Sequence, residues 1–350
     1  MEEKKKKKSK VLPIILIVAA VLLVGFCLFI YLKLNGMSKN AVGTVPKPTG
    51  GVEIIQPKAT LVPVLDPDDL DLSEDFEPDI DPDQIGDDQI FHLDAKDKDV
   101  VNILFVGNDA LDAVDHGRTD SMILISYNKR TREAKMLSFL RDTWIYIPGR
   151  STWNRLNTAF RFGGIGLMIN TINTNFDLDI QYYMRVDFNS LVEITDRLGG
   201  IDLELSENEI EYINRGNEDK LPVKAGWHHL NGKQTLTHAR NRKIGNGDWS
   251  RTERQRNIMF AFLRRAKQEK NVVALSSLVY DLIDKVETNL TPSQLVSLAV
   301  DVVFGGEISI KNRPVPFEGT WEYAWEGKMA VIHIDIQRNA QLINNYIYGE

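Results

Sequence analysis

The sequence predicts an α/β sandwich: a central mixed β-sheet flanked by helices, preceded by one transmembrane helix and an acidic linker. Three observations carry this. From residue 100 onward, short apolar runs alternate with longer segments of helical period. Val11–Tyr31 is a run of 21 residues without a charge. The charge balance also changes sharply along the 350-residue chain. Its net charge of −7 hides seven Lys against two Glu in residues 1–35, and five Lys against sixteen acids in residues 36–99. The remainder is nearly neutral, which argues against a nonspecific nucleic-acid binder. A single cysteine excludes an intramolecular disulfide, and no Cys/His spacing suits a structural zinc module.

Residues 1–10 form a basic N-terminus with Lys4–Lys8 and Lys10. Residues 11–32 are long enough as a helix, about 32 Å, to cross a bilayer core. The preceding lysines keep that end cytoplasmic, which makes the chain a single-pass membrane protein with its bulk outside the cytoplasm. Cys27 reads as a small apolar residue of the span. Residues 33–99 are rich in Pro, Asp and Gly and lack calcium-loop spacing, so they read as an extended tether of about 40–50 Å.

Residues 100–350 carry the globular domain. Val100–Val106, Met122–Tyr127 and Ala134–Leu140 read as strands, the second and third joined by the short segment Asn128–Arg132. Ile180–Val186, Ile201–Leu205 and Met329–Ile336 read as further strands. Gly164–Phe176, Phe188–Leu198, Thr252–Gln268, Leu275–Val286, Pro292–Phe304 and Arg338–Tyr348 read as helices. Thr291-Pro292 supplies an N-cap followed by proline in the first helical position.

Polar residues gather at the ends of these runs. The first strand leads into Asp109, and the second follows Arg118-Thr119-Asp120. An antiparallel pair would bring Asp109 and Asp120 to one sheet edge, and a third strand running back would bring Arg141-Asp142 there too. Two carboxylates suit a hard divalent cation whose coordination is completed by water and phosphate oxygens. The plainer reading is loop acids neutralised by neighbouring arginines.

Arg240 and Arg242 are two residues apart, and in an extended segment they would project together. Ser250 or Thr252 would cap the helix that follows. Extending its apolar face backwards reaches Gln255 with Arg251 on the margin, while Arg254 and Arg256 fall to the flanks. With Arg118 and Arg141 nearby, the natural occupant is a pyrophosphate, held by two-point guanidinium contacts. The plainer reading is a solvated basic helix start. His228, His229 and His238 lack metal-triad spacing, and no Walker A, G-x-S-x-G or H-E-x-x-H motif is present.

In order, Asn102–Asp109, Arg118–Met122, Ser138–Thr143, Asn154–Asn157 with Gly163-Gly164, Asp187-Phe188, Gly199-Gly200, Ala239–Arg242 and Gly247–Arg256 resemble the LytR–CpsA–Psr family of membrane-anchored glycopolymer ligases. The resemblance covers about residues 100–265. It implies a transferase that moves a glycopolymer phosphate from undecaprenyl pyrophosphate to peptidoglycan. It also implies Asp109 and Asp120 as ligands of Mg2+, with Mn2+ as a substitute. By the same resemblance Arg118, Arg141, Arg240, Arg242, Arg251 and Gln255 form the pyrophosphate clamp, with Arg141, Arg240 and Arg242 catalytic and Asp248 a supporting or proton-handling acid. The sequence departs from the family in Arg155-Leu156-Asn157, where Lys-Ile-Asn is usual, and in Trp249, where Phe is common. The lipid tail requires an apolar tunnel between sheet and helices, with Gly164–Phe176 and Phe188–Leu198 as expected walls. The partners expected are the lipid-linked glycan, peptidoglycan and the membrane, with no nucleic acid. A polyprenyl-pyrophosphate hydrolase and a non-catalytic envelope regulator remain as alternatives, because the sequence does not separate transfer to a sugar from transfer to water.

Overall fold

A computed structural model describes residues 95–108, 119–148, 150 and 152–349. The span read at 11–32, most of the linker, and Asp109 and Arg118 lie outside the described residues. Among the described residues no helix is long and apolar enough to cross a membrane.

Three neighbouring strands form the centre of a mixed six-stranded sheet: β1 (Val100–Asn108), β2 (Thr119–Asn128) and β3 (Glu133–Phe139). β1 and β2 pair antiparallel from Val100 opposite Asn128 to Asn108 opposite Thr119, with an irregularity between Gly107 and Asn108. β2 and β3 pair antiparallel, with Ile123 opposite Ser138. This is the arrangement expected from the sequence. It brings the end of β1, the start of β2 and the end of β3 to one pole of the sheet.

Two short hairpin strands follow, β4 (Trp144–Ile147) and β5 (Thr152–Arg155), then helix α1 (Leu156–Phe176). α1 is longer than the expected Gly164–Phe176 and breaks at Gly163-Gly164, where Gly164 takes φ 56 and ψ −154. β6 (Tyr182–Asp187) lies parallel to β1 and leads into α2 (Phe188–Arg197). β7 (Ile201–Leu205), α3 (Glu207–Gly216), β8 (Gly226–Leu230) and α4 (Gly232–Ala239) build a small lobe around Ile201, Leu203, Ile210, Ile213 and Leu230. The 21-residue helix α5 (Gly247–Lys267) packs against that lobe through Ile258 and Ala261.

Helices α6 (Val272–Ile283) and α7 (Pro292–Phe304) are separated by the two-residue β9 (Glu287–Thr288), which completes one sheet edge beside β6. Thr291 caps α7 through a capping box with Gln294, and Pro292 is in the first turn as expected. β10 (Ser309–Val315) lies parallel to β3 at the other edge, giving the order β10-β3-β2-β1-β6-β9. The hairpin β11 (Trp321–Glu326) and β12 (Met329–Ile334) precedes α8 (Ile336–Tyr348).

The two faces of the sheet have different fates, set by the alternation of side chains along a strand. Leu104, Val106, Met122, Leu124, Leu137 and Phe139 turn to one face and form a closed core with α1 and α8 residues such as Phe160, Met168, Ile343 and Ile347. Ile103, Phe105, Ile123, Ile125, Met136 and Met184 turn to the other face and line a cavity of about 820 Å3 roofed by α2, α5, α6 and α7. Of the two expected tunnel walls, Phe188–Leu198 therefore lines this cavity, through Phe188, Leu191, Ile194 and Leu198. Gly164–Phe176 does not. It belongs to the core on the opposite face.

Candidate functional site: an arginine-lined mouth on an apolar cavity

The site is built at the pole where β1 ends and β2 begins. Thr119 and Asp120 start β2, and Arg141 follows β3 after one buried residue, Leu140. The Asp120 Oδ1 accepts from Arg141 Nη1 at 3.0 Å and from Arg242 Nη2 at 2.9 Å, and Arg251 Nη1 lies 3.2 Å away. Asp248, in the first turn of α5, takes Arg251 Nη2 at 2.8 Å. Arg141 Nε and Arg242 Nε lie 3.6 and 3.8 Å from the same carboxylate. Asp142 extends the network, with Arg141 Nε at 3.4 Å and Arg155 Nε at 3.6 Å. Asp120, Arg141, Arg242, Asp248 and Arg251 are thus in direct contact, although they come from four separate stretches of chain.

Charge sets the chemistry of this cluster. Burial raises the Asp120 carboxyl, yet Arg251, Arg141 and Arg242 outweigh it and hold the group below the ordinary carboxylate value. At Asp248 burial dominates instead, and the carboxyl is pushed up despite Arg251 and Arg141. Burial and the neighbouring guanidiniums of Arg251 and Arg141 lower Arg242. Burial opposes the charge on Arg141, but Asp142, Asp248 and Asp120 together raise its guanidinium. Arg141, Arg242 and Arg251 contact Asp120 and Asp248, and Asp142 is shared by Arg141 and Arg155. Four guanidiniums thus stand against three carboxylates, and the excess positive charge favours an incoming anion. Arg251 is only 2 % exposed, and its Nε has no hydrogen-bond partner. A buried donor left open is costly unless a ligand completes it.

The start of α5 differs from the expected one. The helix begins at Gly247, with φ 52, and neither Ser250 nor Thr252 is its cap. Ser250 Oγ instead accepts from the Asn246 amide, and Thr252 Oγ1 donates to the Trp249 carbonyl. Trp249 Nε1 donates to Tyr323 Oη at 3.2 Å, and its ring lies tilted by 36° against Trp321 with centroids 4.9 Å apart. This aromatic group ties the helix start to β11 and holds Asp248 beside the arginines.

Arg240 and Arg242 do not project together from an extended segment. Arg240 has helical φ/ψ as the C-cap of α4 and lies exposed, its guanidinium 4.6 Å from the Phe188 ring. It lines the cavity mouth but makes no contact with Asp120 or Asp248. Gln255 lines the same cavity, and its Oε1 is buried without a partner. Arg254 and Arg256 are also not on solvated flanks, being 6 % exposed each. Arg254 pairs with Glu209 at 2.8 Å and donates to the carbonyls of Asn241 at 3.0 Å and Ile244 at 2.7 Å. It therefore clamps the loop that carries Arg242. Arg256 Nε donates to Asn312 of β10 at 3.0 Å. Buried His238 is held down to about 4, by burial against the opposing pull of Glu209, so it stays neutral near pH 7.

Sequence reasoning did not single out Arg185 as part of this pole. It lies within β6 beside β1, with Nε 3.4 Å from Asn108 Oδ1 and Nη1 2.9 Å from Glu287. Its parallel pairing opposite Val106 was the missing signal, because that register appears only once β6 is placed.

The fit to a divalent cation can be judged at Asp120. Its hydrogen bonds and ion pairs with Arg141, Arg242 and Arg251 all fall on Oδ1, and Asp120 lines the cavity mouth. One carboxylate oxygen suits magnesium, which keeps several waters and takes phosphate oxygens. Among the described residues no group of three or more His, Cys, Asp or Glu could hold a metal alone.

A model of the LytR_cpsA_psr family matches residues 75–345. Over 206 residues the chain is 27% identical to the polyisoprenyl-teichoic acid–peptidoglycan teichoic acid transferase TagT of Bacillus subtilis strain 168, covering 57% of this chain and 63% of that protein. It is 30% identical over 223 residues to the corresponding transferase TagV of the same strain, covering 63% of this chain and 56% of that one. The matches thus span less than two thirds of these relatives' length. Among solved structures the fold is similar to the LytR-CPS2A-psr family protein YwtF (TagT) with bound octaprenyl pyrophosphate lipid. That match has a TM-score of 0.56 and 20% identity, over 71% of this chain and 91% of that one.

Proposed function

This chain belongs to the LytR–CpsA–Psr family, and on that footing we propose that it transfers a glycopolymer phosphate from a polyprenyl-pyrophosphate carrier to peptidoglycan. The observation that carries this reading is one cavity with two chemistries: an apolar interior, and a mouth lined by Asp120, Arg240, Arg242, Arg251 and Gln255. A lipid tail and a pyrophosphate head match that division. The named activities of TagT and TagV, teichoic acid transfer to peptidoglycan, support the same reading.

The residues then divide the work. Arg242, Arg251 and Arg141 receive the pyrophosphate oxygens, and their excess charge is already in place when negative charge develops. A sugar hydroxyl of peptidoglycan attacks the phosphorus on the glycan side. The P–O bond to the polyprenyl phosphate breaks, and a phosphodiester to peptidoglycan forms. Asp248, its carboxyl raised by burial, is placed to take the hydroxyl proton. Arg240 at the rim guides the head inward. Asp120, with Asp109, would hold Mg2+, which when bound supplies further positive charge to the phosphate oxygens. Anchored by residues 11–32, the domain would work on the outer face of the membrane.

The test uses purified protein, Mg2+ and a polyprenyl-pyrophosphate glycan, with and without peptidoglycan. The reading expects polyprenyl phosphate release together with a phosphodiester-linked product, both dependent on peptidoglycan. Equal release without peptidoglycan identifies a hydrolase, and binding without release identifies a non-catalytic protein.

A further inference from the structure

Among the described residues the large exposed hydrophobics are Val223, Trp227, Val272, Val273 and Phe304. Four of these five gather at one pole. Trp227, 61% exposed, lies against the guanidinium of Arg264, 5.2 Å from its ring centre. Val272 and Val273, 44% and 60% exposed, open α6 just past the end of α5. Lys267 Nζ donates to the Gly306 carbonyl at 2.9 Å, which brings the 37% exposed Phe304 to the same place. Single exposed apolar residues are ordinary on a protein surface, but a group of four is not.

Both signs of charge surround them. Arg264, Lys267 and Lys270 flank the group. Glu204 stands opposite Trp227 across the β7–β8 pair, Glu307 follows Gly306, and Glu269 turns its carboxylate onto the amides of Lys270 and Asn271, both at 2.9 Å.

The Asp99 carbonyl accepts from the Lys129 amide at 2.8 Å, and its carboxylate pairs with Arg130 at 3.1 Å. From the same turn Arg132 reaches Asp301 at 2.9 Å, on the last turn of α7. The start of β1 therefore lies at the pole where α7 ends, while Lys96 of the segment before it donates to the Asp177 carbonyl and pairs with the Asp177 carboxylate, both at 2.6 Å.

The cavity ends here as well. Its mouth is at Arg251 and Gln255, and its far end is at Ala266, Leu275 and Val303. Residues 251 to 266 of one helix cover about 22 Å. From these placements we propose that this pole docks on the surface of an anionic bilayer, so that the tail end of the cavity faces the membrane and the phosphate site stands above it. Trp227 lies at headgroup level, Val272 and Val273 enter the acyl boundary, and the three cations meet anionic headgroups. The tail of a carrier lipid then passes from the bilayer into the cavity. This deepens the function proposed above and rests on it only for what occupies the cavity.

The test uses the full chain with Cys27→Ala, reconstituted in vesicles. A single environment-sensitive fluorophore is attached through Val273→Cys, or through Glu318→Cys on the exposed loop at the opposite pole. In phosphatidylglycerol-containing vesicles, doxyl-lipid should quench the label at 273 roughly twofold or more, and leave the label at 318 nearly unchanged. The quenching should fall towards the 318 value in pure phosphatidylcholine, and with Lys267→Gln/Lys270→Gln. A label at 273 quenched by aqueous iodide in anionic vesicles overturns the proposal. So does a label shielded from both quenchers, which would indicate a protein partner or a second copy. Val272→Ser/Val273→Ser should slow transfer from a bilayer-embedded donor several-fold and leave transfer from a short, water-soluble donor unchanged. If the label meets lipid but the unmodified protein transfers nothing from the soluble donor, the docking stands and the transferase reading fails.

Discussion

Asp120 is the hub that balances Arg141, Arg242 and Arg251, so its removal reaches beyond any metal it holds. Asp120→Asn leaves Arg141, Arg242 and Arg251 with Asp248 and, beside Arg141 alone, Asp142. The expected outcome is loss of transfer together with a Tm lower by several degrees, largely restored by added pyrophosphate, as scanning calorimetry would measure. An unshifted Tm would contradict the hub. The pH dependence follows by sign. The Asp120 carboxyl is held below its ordinary value, so its stabilisation is full above the ordinary carboxylate range and is lost as pH falls through the lowered value. Asp248 is raised, so its contribution has the opposite sign and fades as pH rises through the raised value. Asp120→Asn should therefore flatten the acid limb of the Tm–pH profile, and Asp248→Asn should not. Arg242 and Arg256 are separable in a similar way. Arg242 stands in an excess of positive charge, so Arg242→Ala should abolish transfer with little change in Tm, and Arg242→Lys should rescue it poorly. Arg256 is buried against Asn312, so Arg256→Ala should lose about 2 kcal/mol, roughly 4–8 °C, while the remaining fold still transfers. Helical projection placed Arg256 on an open flank because nothing in the local pattern reveals that β10 covers that side.

At the scale of elements, the three-strand centre was legible because short apolar runs, a short connection and polar ends all agreed from Val100 to Asp142. The α7 start was legible from Thr291-Pro292 for the same reason. Short hairpins such as β4 and β5 were not, since four residues carry no measurable period. Helices α3 and α4 hid behind sparse apolar residues, yet each announces itself by a capping box, Ser206 with Glu209 and Asn231 with Gln234. Arg240 was misplaced for that reason: without α4, the stretch to Arg242 reads as extended. The sequence marks α6 and α7 only as helices, and many of their apolar residues line the cavity, Leu275, Leu278, Leu298 and Ala299 among them. Ala299→Phe should therefore fold normally, its ring filling part of the 820 Å3. It should cut transfer from a long-chain donor at least about tenfold and spare a short-chain donor, as parallel rate measurements would determine. Equal loss with both donors would mean that the tail does not lie there.

Across the whole molecule, one sheet serves two purposes. Its Leu104 and Leu124 face builds the closed core, and its Ile103 and Ile125 face lines the cavity. Sequence cannot tell these faces apart, because both are apolar and alternate alike. That is why Gly164–Phe176 looked as suitable a tunnel wall as Phe188–Leu198. The polar mouth was legible, since its arginines and acids fall at strand and helix ends, where side chains converge. The Arg254 clamp on the Arg242 loop was not, because it depends on Glu209 from a separate lobe. The proposed function requires one ligand to span the molecule, head among the arginines and tail between sheet and helices. Photocrosslinking tests it most directly, using a polyprenyl pyrophosphate with a diazirine at the tail end and peptide mapping of the adducts. Adducts are expected on α6 and α7 around Leu278 and Ala299, weakened by Arg242→Ala and moved towards the mouth by Ala299→Phe. Adducts on the α1 face around Met168 and Ile172, or a pattern untouched by both substitutions, would contradict it.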